Sequence, residues 1–193
     1  MKFLIHKNIL SQLRKIFVLV FIILYAFTSF SQNLYIVSKS TVKFTSDAPL
    51  EVIEANSEEM KGLLNISDGS FAFRIAMNSF QGFISELQEA HFNENYVESD
   101  KYPTASFSGK IIEKTNFSSP GLYKVKGTGK FFCHGVEKDK TIAVTLTFEK
   151  DKIKVNGEFS ILLEDYKIKR PAVVYKKIAK KIFIEINAEL IPK

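Results

Sequence analysis

Cysteine is almost absent from this chain, since Cys133 is the only one among 193 residues. A single cysteine cannot form an internal disulfide, so the stability of the fold must come from packing and strand pairing. Cys133 also lies far from the N-terminus. A lipid-modified cysteine at an N-terminal processing site is therefore excluded.

A large excess of charge of one sign is also missing once the N-terminus is set aside. The whole chain has 27 basic and 21 acidic residues, a net charge of +6. Four of the basic residues and none of the acidic ones lie in residues 1–31. Residues 32–193 therefore contain 23 basic and 21 acidic residues, a net charge of +2. A basic surface for nucleic acid is not expected.

No apolar run is long enough for an ordinary membrane-spanning helix. The run Ile16–Phe27 has 12 residues, whereas a span needs about 20. It follows several basic residues and precedes small residues at 29–31, as in a secretory signal peptide cleaved before Gln32. The sequence predicts a signal peptide over residues 1–31, periplasmic or secreted localisation in a bacterium, and no stable membrane anchor after cleavage; an uncleaved anchor is the alternative.

Histidine is scarce as well, because only His91 and His134 follow the predicted signal peptide. Cys133 and His134 are adjacent, so in a strand they point to opposite faces and cannot act together as nucleophile and base. A zinc site would need carboxylates such as Glu89 or Glu94 beside His91, and a solvated acidic helix explains those residues more simply. The sequence predicts no catalytic residues and no metal site.

Alternation of apolar and polar residues is abundant, and it recurs in one run after another. Three runs, at residues 34–45, 50–56 and 60–66, come first in the chain. With the later runs they make about nine predicted strands. Such alternation is typical of antiparallel strands with one solvated face. The apolar face of the later runs contains Phe71, Phe73, Ile75, Phe107, Ile111, Val125, Phe131, Phe159, Ile182, Ile184 and Ile186.

One acidic segment, residues 86–98, interrupts the strands and is compatible with a helix. So many half-buried strands in about 162 residues need a second sheet or closure on themselves, and closure also removes exposed edges. The predicted fold is all-β, a closed antiparallel barrel of about eight strands with a short helix inserted between strands. It would form a single domain over residues 32–193, and a sandwich is the alternative.

Four glycines, Gly109, Gly127, Gly129 and Gly157, share the parity of the apolar residues in their strands. They would point inward and leave room in the interior. An eight-stranded barrel is just wide enough to be filled by side chains or to hold one small ligand. The same glycines could instead mark the sharp coiling and bulges of a small barrel, and the sequence leaves both interpretations open.

The most distinctive block runs from His91 to Pro103 and on to Phe107-Ser108-Gly109. Together with the segments 42–50, 123–136 and 157–171, it resembles the YceI-like family of exported bacterial proteins, in the variant found in the Bacteroidetes group. The resemblance implies a lipocalin-like barrel that binds a polyisoprenoid, an isoprenoid quinone or an acyl chain. It implies no cofactor other than such a bound lipid, and it leaves a homodimer open.

On this resemblance the apolar face would line a ligand cavity, and His91 would meet a polar head group at its mouth, with Asn93, Asn95 and Tyr96 nearby. Two alternatives stay open. The barrel could be filled and serve as a stress-protective or surface interaction protein, and His91 could only tie the helix to the rim. The predicted ligand-binding residues are Phe71, Phe73, Ile75, His91, Phe92, Phe107, Ile111, Val125, Phe131, Phe159, Ile182 and Ile184.

Overall fold

The structure is a computed structural model that describes residues 33–114, 117 and 119–193. The predicted signal peptide lies outside the described residues and stays a prediction. The strands are β1 (Leu34–Ala48), β2 (Glu51–Ser57), β3 (Lys61–Asn65), β4 (Ser70–Ala76), β5 (Thr104–Ile111), β6 (Gly121–Cys133), β7 (Val136–Phe148), β8 (Ile153–Leu162) and β9 (Lys181–Pro192).

The strands form one antiparallel sheet that closes because β1 pairs with β9. β2 and β3 lie end to end along the other edge of β1, with Val42 opposite Ser57 and Leu34 opposite Asn65 in one continuous register. These two short strands share one position in the wall, so the barrel is eight strands round. The predicted closed barrel is confirmed, and a sandwich does not form.

A β-bulge bends β1 beside β9. Val37 pairs with Leu190 and Lys39 pairs with Glu189, which leaves Ser38 as an extra residue. The Ser38 hydroxyl donates a hydrogen bond to the carbonyl oxygen of Glu189 at 3.0 Å. Bulges of this kind increase the local twist that a closing sheet needs. At Gly157, in contrast, the register with β9 is regular.

Gly109 and Gly129 allow β5 and β6 to approach unusually closely. The two residues are direct cross-strand partners. A Cβ atom on Gly109 would lie 2.0 Å from the carbonyl oxygen of Thr128, and one on Gly129 would lie 2.0 Å from that of Ser108. Neither position could hold a side chain without moving backbone. These two glycines therefore serve the coiling of the barrel rather than the volume of its interior.

One end of the barrel, where β1 begins and β9 ends, is closed by aromatic rings. Phe117, in the loop between β5 and β6, stacks on Phe148 with ring centroids 5.0 Å apart. Tyr123 meets both rings edge-on at 5.4 and 5.3 Å. Phe117 and Phe148 are buried. This closed end leaves the opposite, open end as the route to the interior.

The open end carries the inserted helix, α1 (Glu86–His91), which continues as one π-helical turn, Phe92–Tyr96. The helix predicted over 86–98 is thus present and ends two residues earlier. Ser85 caps it, since its hydroxyl accepts a hydrogen bond from the backbone N–H of Gln88 at 3.2 Å. Within the described ranges, no helix is both long and apolar enough to cross a bilayer.

The wall between β7 and β8 is hydrogen-bonded only in part. Their ladder joins Val144–Phe148 to Ile153–Gly157, and towards the open end it stops. Lys140 crosses the gap and donates a hydrogen bond to the carbonyl oxygen of Ser160 at 2.9 Å. Burial of its ammonium group lowers the pKa of Lys140. A lysine side chain thus replaces part of the missing ladder.

Replacing Gly129 with alanine should destabilise the barrel by about 3 kcal/mol or prevent folding, because the new methyl group would collide with the backbone of β5. Urea unfolding followed by circular dichroism measures the effect. Ser108→Ala is the matched control: Ser108 is exposed on β5, and its loss should cost less than about 0.5 kcal/mol. Equal stability of the two variants would contradict the close approach of these strands.

Candidate functional site

The barrel is hollow, with an interior cavity of about 610 Å³. This volume lies within the range of about 300–1,000 Å³ that is usual for small-molecule sites. Apolar side chains from every strand form its wall. Alternation along each strand therefore produces the wall of a cavity here and not a filled core.

Eleven of the twelve residues that the sequence predicts as ligand-binding line this cavity. Val125 is the exception. It is 3% exposed and lies on the inward face of β6 between Tyr123, which belongs to the closed end, and Gly127, which lines the cavity. Val125 thus lies in the floor beneath the cavity. The lining residues from the prediction are Phe71, Phe73, Ile75, His91, Phe92, Phe107, Ile111, Phe131, Phe159, Ile182 and Ile184.

Gly127 enlarges the cavity by the absence of a side chain. A Cβ atom there would lie 2.9 Å from Cε1 of Phe71 and 3.6 Å from Cε1 of Phe107, and both of these rings line the cavity. Gly157 differs, because its Cβ would meet Cγ1 of Val144 at 2.8 Å and Gly157 does not line the cavity. Of the four glycines predicted to point inward, Gly127 is therefore the one that leaves room in the interior.

The segment between β8 and β9 supplies lining residues that the sequence analysis did not assign. It forms two 3-10 turns, Leu163–Tyr166 and Ala172–Val174. Arg170 folds the segment back on itself, since its guanidinium donates a hydrogen bond to the carbonyl oxygen of Ile178 at 2.8 Å. Irregular turns give no period-2 signal, which is why this part was missed. Its lining residues are Leu163, Ile168, Val174, Lys177 and Ile178.

Phe92 anchors the inserted helix to the barrel wall. Its ring stacks on Phe44 of β1 with centroids 5.2 Å apart and an interplanar angle of 12°. Phe80 and Phe83 contact the same ring at 5.9 and 5.1 Å. All four rings line the cavity. The helix therefore covers one side of the open end through aromatic packing.

His91 lies exposed at the mouth of the cavity, as predicted for a residue that could meet a head group. Among the described residues its side chain makes no hydrogen bond or ion pair, so nothing there shows that it ties the helix to the rim. Asn93 is directed into the helix, where its amide nitrogen donates to the carbonyl oxygen of Glu89 at 3.2 Å. Tyr96 lines the cavity, and burial raises the pKa of its hydroxyl.

His134, unlike His91, ties the β4–β5 insertion (residues 77–103) to the barrel by hydrogen bonds. Its Nε2 lies 2.8 Å from a carboxylate oxygen of Glu98, and its Nδ1 lies 2.9 Å from the carbonyl oxygen of Tyr166. The ring of Tyr102 packs against the imidazole at 4.4 Å. Glu98 and His134 both have left-handed backbones, with φ of 46° and 49°. This cluster joins the insertion, the β6–β7 turn and the β8–β9 segment.

Cys133 lines the cavity and is buried. Burial raises the pKa of its thiol to about 12. The thiol therefore stays protonated near neutral pH and is a poor nucleophile. His134 is turned to Glu98, away from the cavity that Cys133 faces. Across residues 33–114, 117 and 119–193, no cluster of His, Cys, Asp or Glu could hold a metal ion.

Replacing His134 with alanine should lower the free energy of unfolding by about 2 kcal/mol, because Glu98 and the carbonyl of Tyr166 lose their partner. Chemical denaturation measures this change. His91→Ala serves as the control, since the exposed His91 should cost less than about 0.5 kcal/mol. If His134→Ala proved as stable as His91→Ala, the His134 cluster would contribute nothing to holding the insertion in place.

Comparison with known proteins gives the same architecture. The model of the YceI-like domain matches residues 32–190. A polyisoprenoid binding domain from Saccharophagus degradans, implicated in plant cell wall breakdown, has a similar structure, with a TM-score of 0.67 at 14% identity over 82% of this chain and 98% of that one. BcnA of Burkholderia cenocepacia has a TM-score of 0.64 at 16% identity over 78% of this chain and 95% of its own.

The YceI protein of Campylobacter jejuni is also similar, with a TM-score of 0.56 at 17% identity over 72% of this chain and 84% of that one. No curated protein sequence matches the chain significantly. At these identities the structural likeness shows the fold alone. The match to the domain model spans nearly the whole of the described barrel.

Proposed function

This chain belongs to the YceI-like family, and we propose that it is an exported binding protein that holds the apolar part of an amphiphilic lipid inside its barrel. The observation that carries the proposal is the apolar cavity of about 610 Å³, which is open at one end and closed by aromatic rings at the other. The polyisoprenoid-binding neighbour supports a polyisoprenoid, and an isoprenoid quinone or acyl chain has the same chemistry.

The charges of the cavity are distributed as an amphiphile requires. Apart from the buried Cys133 and the half-buried Tyr96, the charged or titratable residues that line it are Glu51, Arg74, His91 and Lys177. Glu51 begins β2, His91 ends α1 and Lys177 lies in the β8–β9 segment, all at the open end. Arg74 lies two residues before the open-end terminus of β4. The deeper wall is aliphatic and aromatic. An apolar chain would occupy the depth while a polar head stays near the mouth, where His91 has free donor and acceptor capacity.

The expected gain from burial is large enough for useful affinity. Each buried methylene contributes about 0.8 kcal/mol, so about ten of them contribute roughly 8 kcal/mol before ordering costs are subtracted. Affinity of this kind needs no specific polar contact. The barrel could therefore take up a long chain and shield it from water during sequestration or transport through the periplasm.

The predicted signal peptide, residues 1–31, supports export, and the chemistry of the site supports binding without catalysis. The thiol of Cys133 is held protonated, and His134 is engaged by Glu98 and the backbone of Tyr166. The alternative, a stress-protective or surface interaction protein with a filled barrel, is disfavoured by the cavity.

Gly127→Leu should abolish binding of a long isoprenoid quinone, because the new side chain enters the cavity and pushes the ring of Phe71 further into it. Overpacking of this kind costs about 1–3 kcal/mol of stability, so circular dichroism should still show a folded barrel. Isothermal titration calorimetry against a water-dispersed quinone measures the binding.

Lys126→Leu is the matched control, since it introduces the same side chain at the neighbouring, exposed position of β6. This variant should bind the quinone as the wild type does. Unchanged binding by Gly127→Leu, or no binding by the wild type, would overturn the proposal that the interior holds the ligand.

A further inference from the structure

The open end carries exposed apolar side chains where a water-soluble protein would normally have polar ones. Five large apolar residues lie there, in three neighbouring segments, with exposed fractions between 52% and 87%. A contiguous apolar surface around an opening usually marks an interaction site. These residues, called the rim patch below, are Leu50, Ile84, Leu87, Val173 and Tyr175.

Hydrogen bonds hold the three segments of the rim patch side by side. The backbone N–H of Leu50 donates to the carbonyl oxygen of Lys176 at 2.8 Å, which joins the β1–β2 turn to the β8–β9 segment. The side-chain amide of Gln88 donates to Glu51 at 2.9 Å, which joins α1 to the first residue of β2, directly after that turn. Ile84 and Leu87 also line the cavity, so the rim patch is continuous with its wall.

Cations surround one side of this patch. Residues 167–181 contain seven basic residues and no acidic one. Lys176 and Lys177 are exposed directly beside Tyr175. On the other side of the β1–β2 turn, α1 carries Glu86 and Glu89. The rim is therefore polarised, with a basic, apolar side formed by the β8–β9 segment. The seven cations are Lys167, Lys169, Arg170, Lys176, Lys177, Lys180 and Lys181.

Several of these cations already have partners, which identifies those available to a ligand. Lys180 pairs with Glu164 at 3.0 Å, and Arg170 binds backbone carbonyls within its own segment. Lys181 lies over the ring of Phe183 at 5.0 Å. Four of the seven, Lys167, Lys169, Lys176 and Lys177, have no side-chain hydrogen bond or ion pair among the described residues. Of these, Lys176 and Lys177 directly follow the exposed Tyr175 in the chain.

From this arrangement we propose that the rim patch docks on the surface of an anionic lipid bilayer. Exposed apolar side chains that enter the interface, together with lysines that meet anionic head groups, are the two elements of reversible membrane association. A bilayer also fits the position of the patch around the opening, since an apolar chain could then pass between membrane and cavity without crossing water. The inference rests on the proposed lipid-binding function and adds the surface at which the lipid is exchanged.

Co-sedimentation with vesicles tests the proposal. The protein without its signal peptide should bind phosphatidylcholine vesicles that contain phosphatidylglycerol and bind pure phosphatidylcholine vesicles much more weakly. High salt should weaken the binding, because exposed charges are screened. The double variant Val173→Asp/Lys176→Glu should bind anionic vesicles at least about tenfold more weakly. Neither of these two residues lines the cavity.

Leu122→Asp/Lys124→Glu is the matched control. It replaces an exposed leucine, 62% exposed, and an exposed lysine near the closed end, with the same change in net charge. This control should bind anionic vesicles as the wild type does. Docking through the rim patch would be overturned by an equal loss of vesicle binding in both variants, or by no loss in the rim variant. It would also be overturned if the wild type showed no preference for anionic vesicles, and that result would point to a protein partner instead.

Calorimetry with the quinone separates this proposal from the function on which it rests. The rim variant should still bind the quinone, because its cavity is unchanged. Failure of vesicle binding with intact quinone binding would remove the docking proposal alone. Failure of quinone binding by the wild type would remove the proposed function, whatever the vesicles showed.

Discussion

The pairing of β1 with β9 is the interaction on which the rest of the structure depends. β1 has 15 residues and bonds along one edge to β9 and along the other to β2 and β3. Without this closure two long strand edges would be exposed, which invites aggregation, and the inward faces would have no opposite wall. Closure turns the sheet of alternating strands into a barrel, and the aromatic rings close one end of its cavity.

The hollow interior has an energetic consequence. Side chains that face a void lack the dispersion contacts of a packed core, so the wall of this cavity is less stabilised than a filled barrel would be. The sheet ladder, the phenylalanine cluster around Phe92 and the His134–Glu98 contact must hold the open end in shape. An apolar ligand would restore the missing contacts and stabilise the fold by mass action. Binding and stability are therefore expected to change together.

Much of the fold and of the cavity wall could be predicted from the sequence, because alternation is a local signal. It placed Phe71, Phe107 and Ile184 on the inward face, where the structure has them. Val125 could not be assigned to the floor, since its position depends on where the aromatic rings of the closed end begin. The alternation also missed the first half of β7, where Lys138 and Lys140 stand at inward positions. Lys140 spans the gap to Ser160 of β8, and Lys138 reaches Asp165 in the 3-10 turn that follows β8.

Tertiary contacts between distant residues explain the remaining differences. Gly109, Gly127 and Gly129 look alike in sequence, yet two permit a close strand approach and one enlarges the cavity. His134 is 36 residues from Glu98, and no local pattern links them. The β8–β9 segment has no period at all; its run of basic residues around Val173 and Tyr175 was the available signal, and only the fold shows that this run borders the opening.

Native mass spectrometry of the protein, expressed in a bacterium from the full sequence and purified without detergent or organic solvent, tests the hollow barrel most directly. The expected result is a mass in excess of the polypeptide that disappears on extraction with organic solvent and is recovered as an isoprenoid or acyl amphiphile. A protein that carries only its own mass, and that gains none after incubation with vesicles containing an isoprenoid quinone, would contradict the proposal that the cavity is a lipid-binding site.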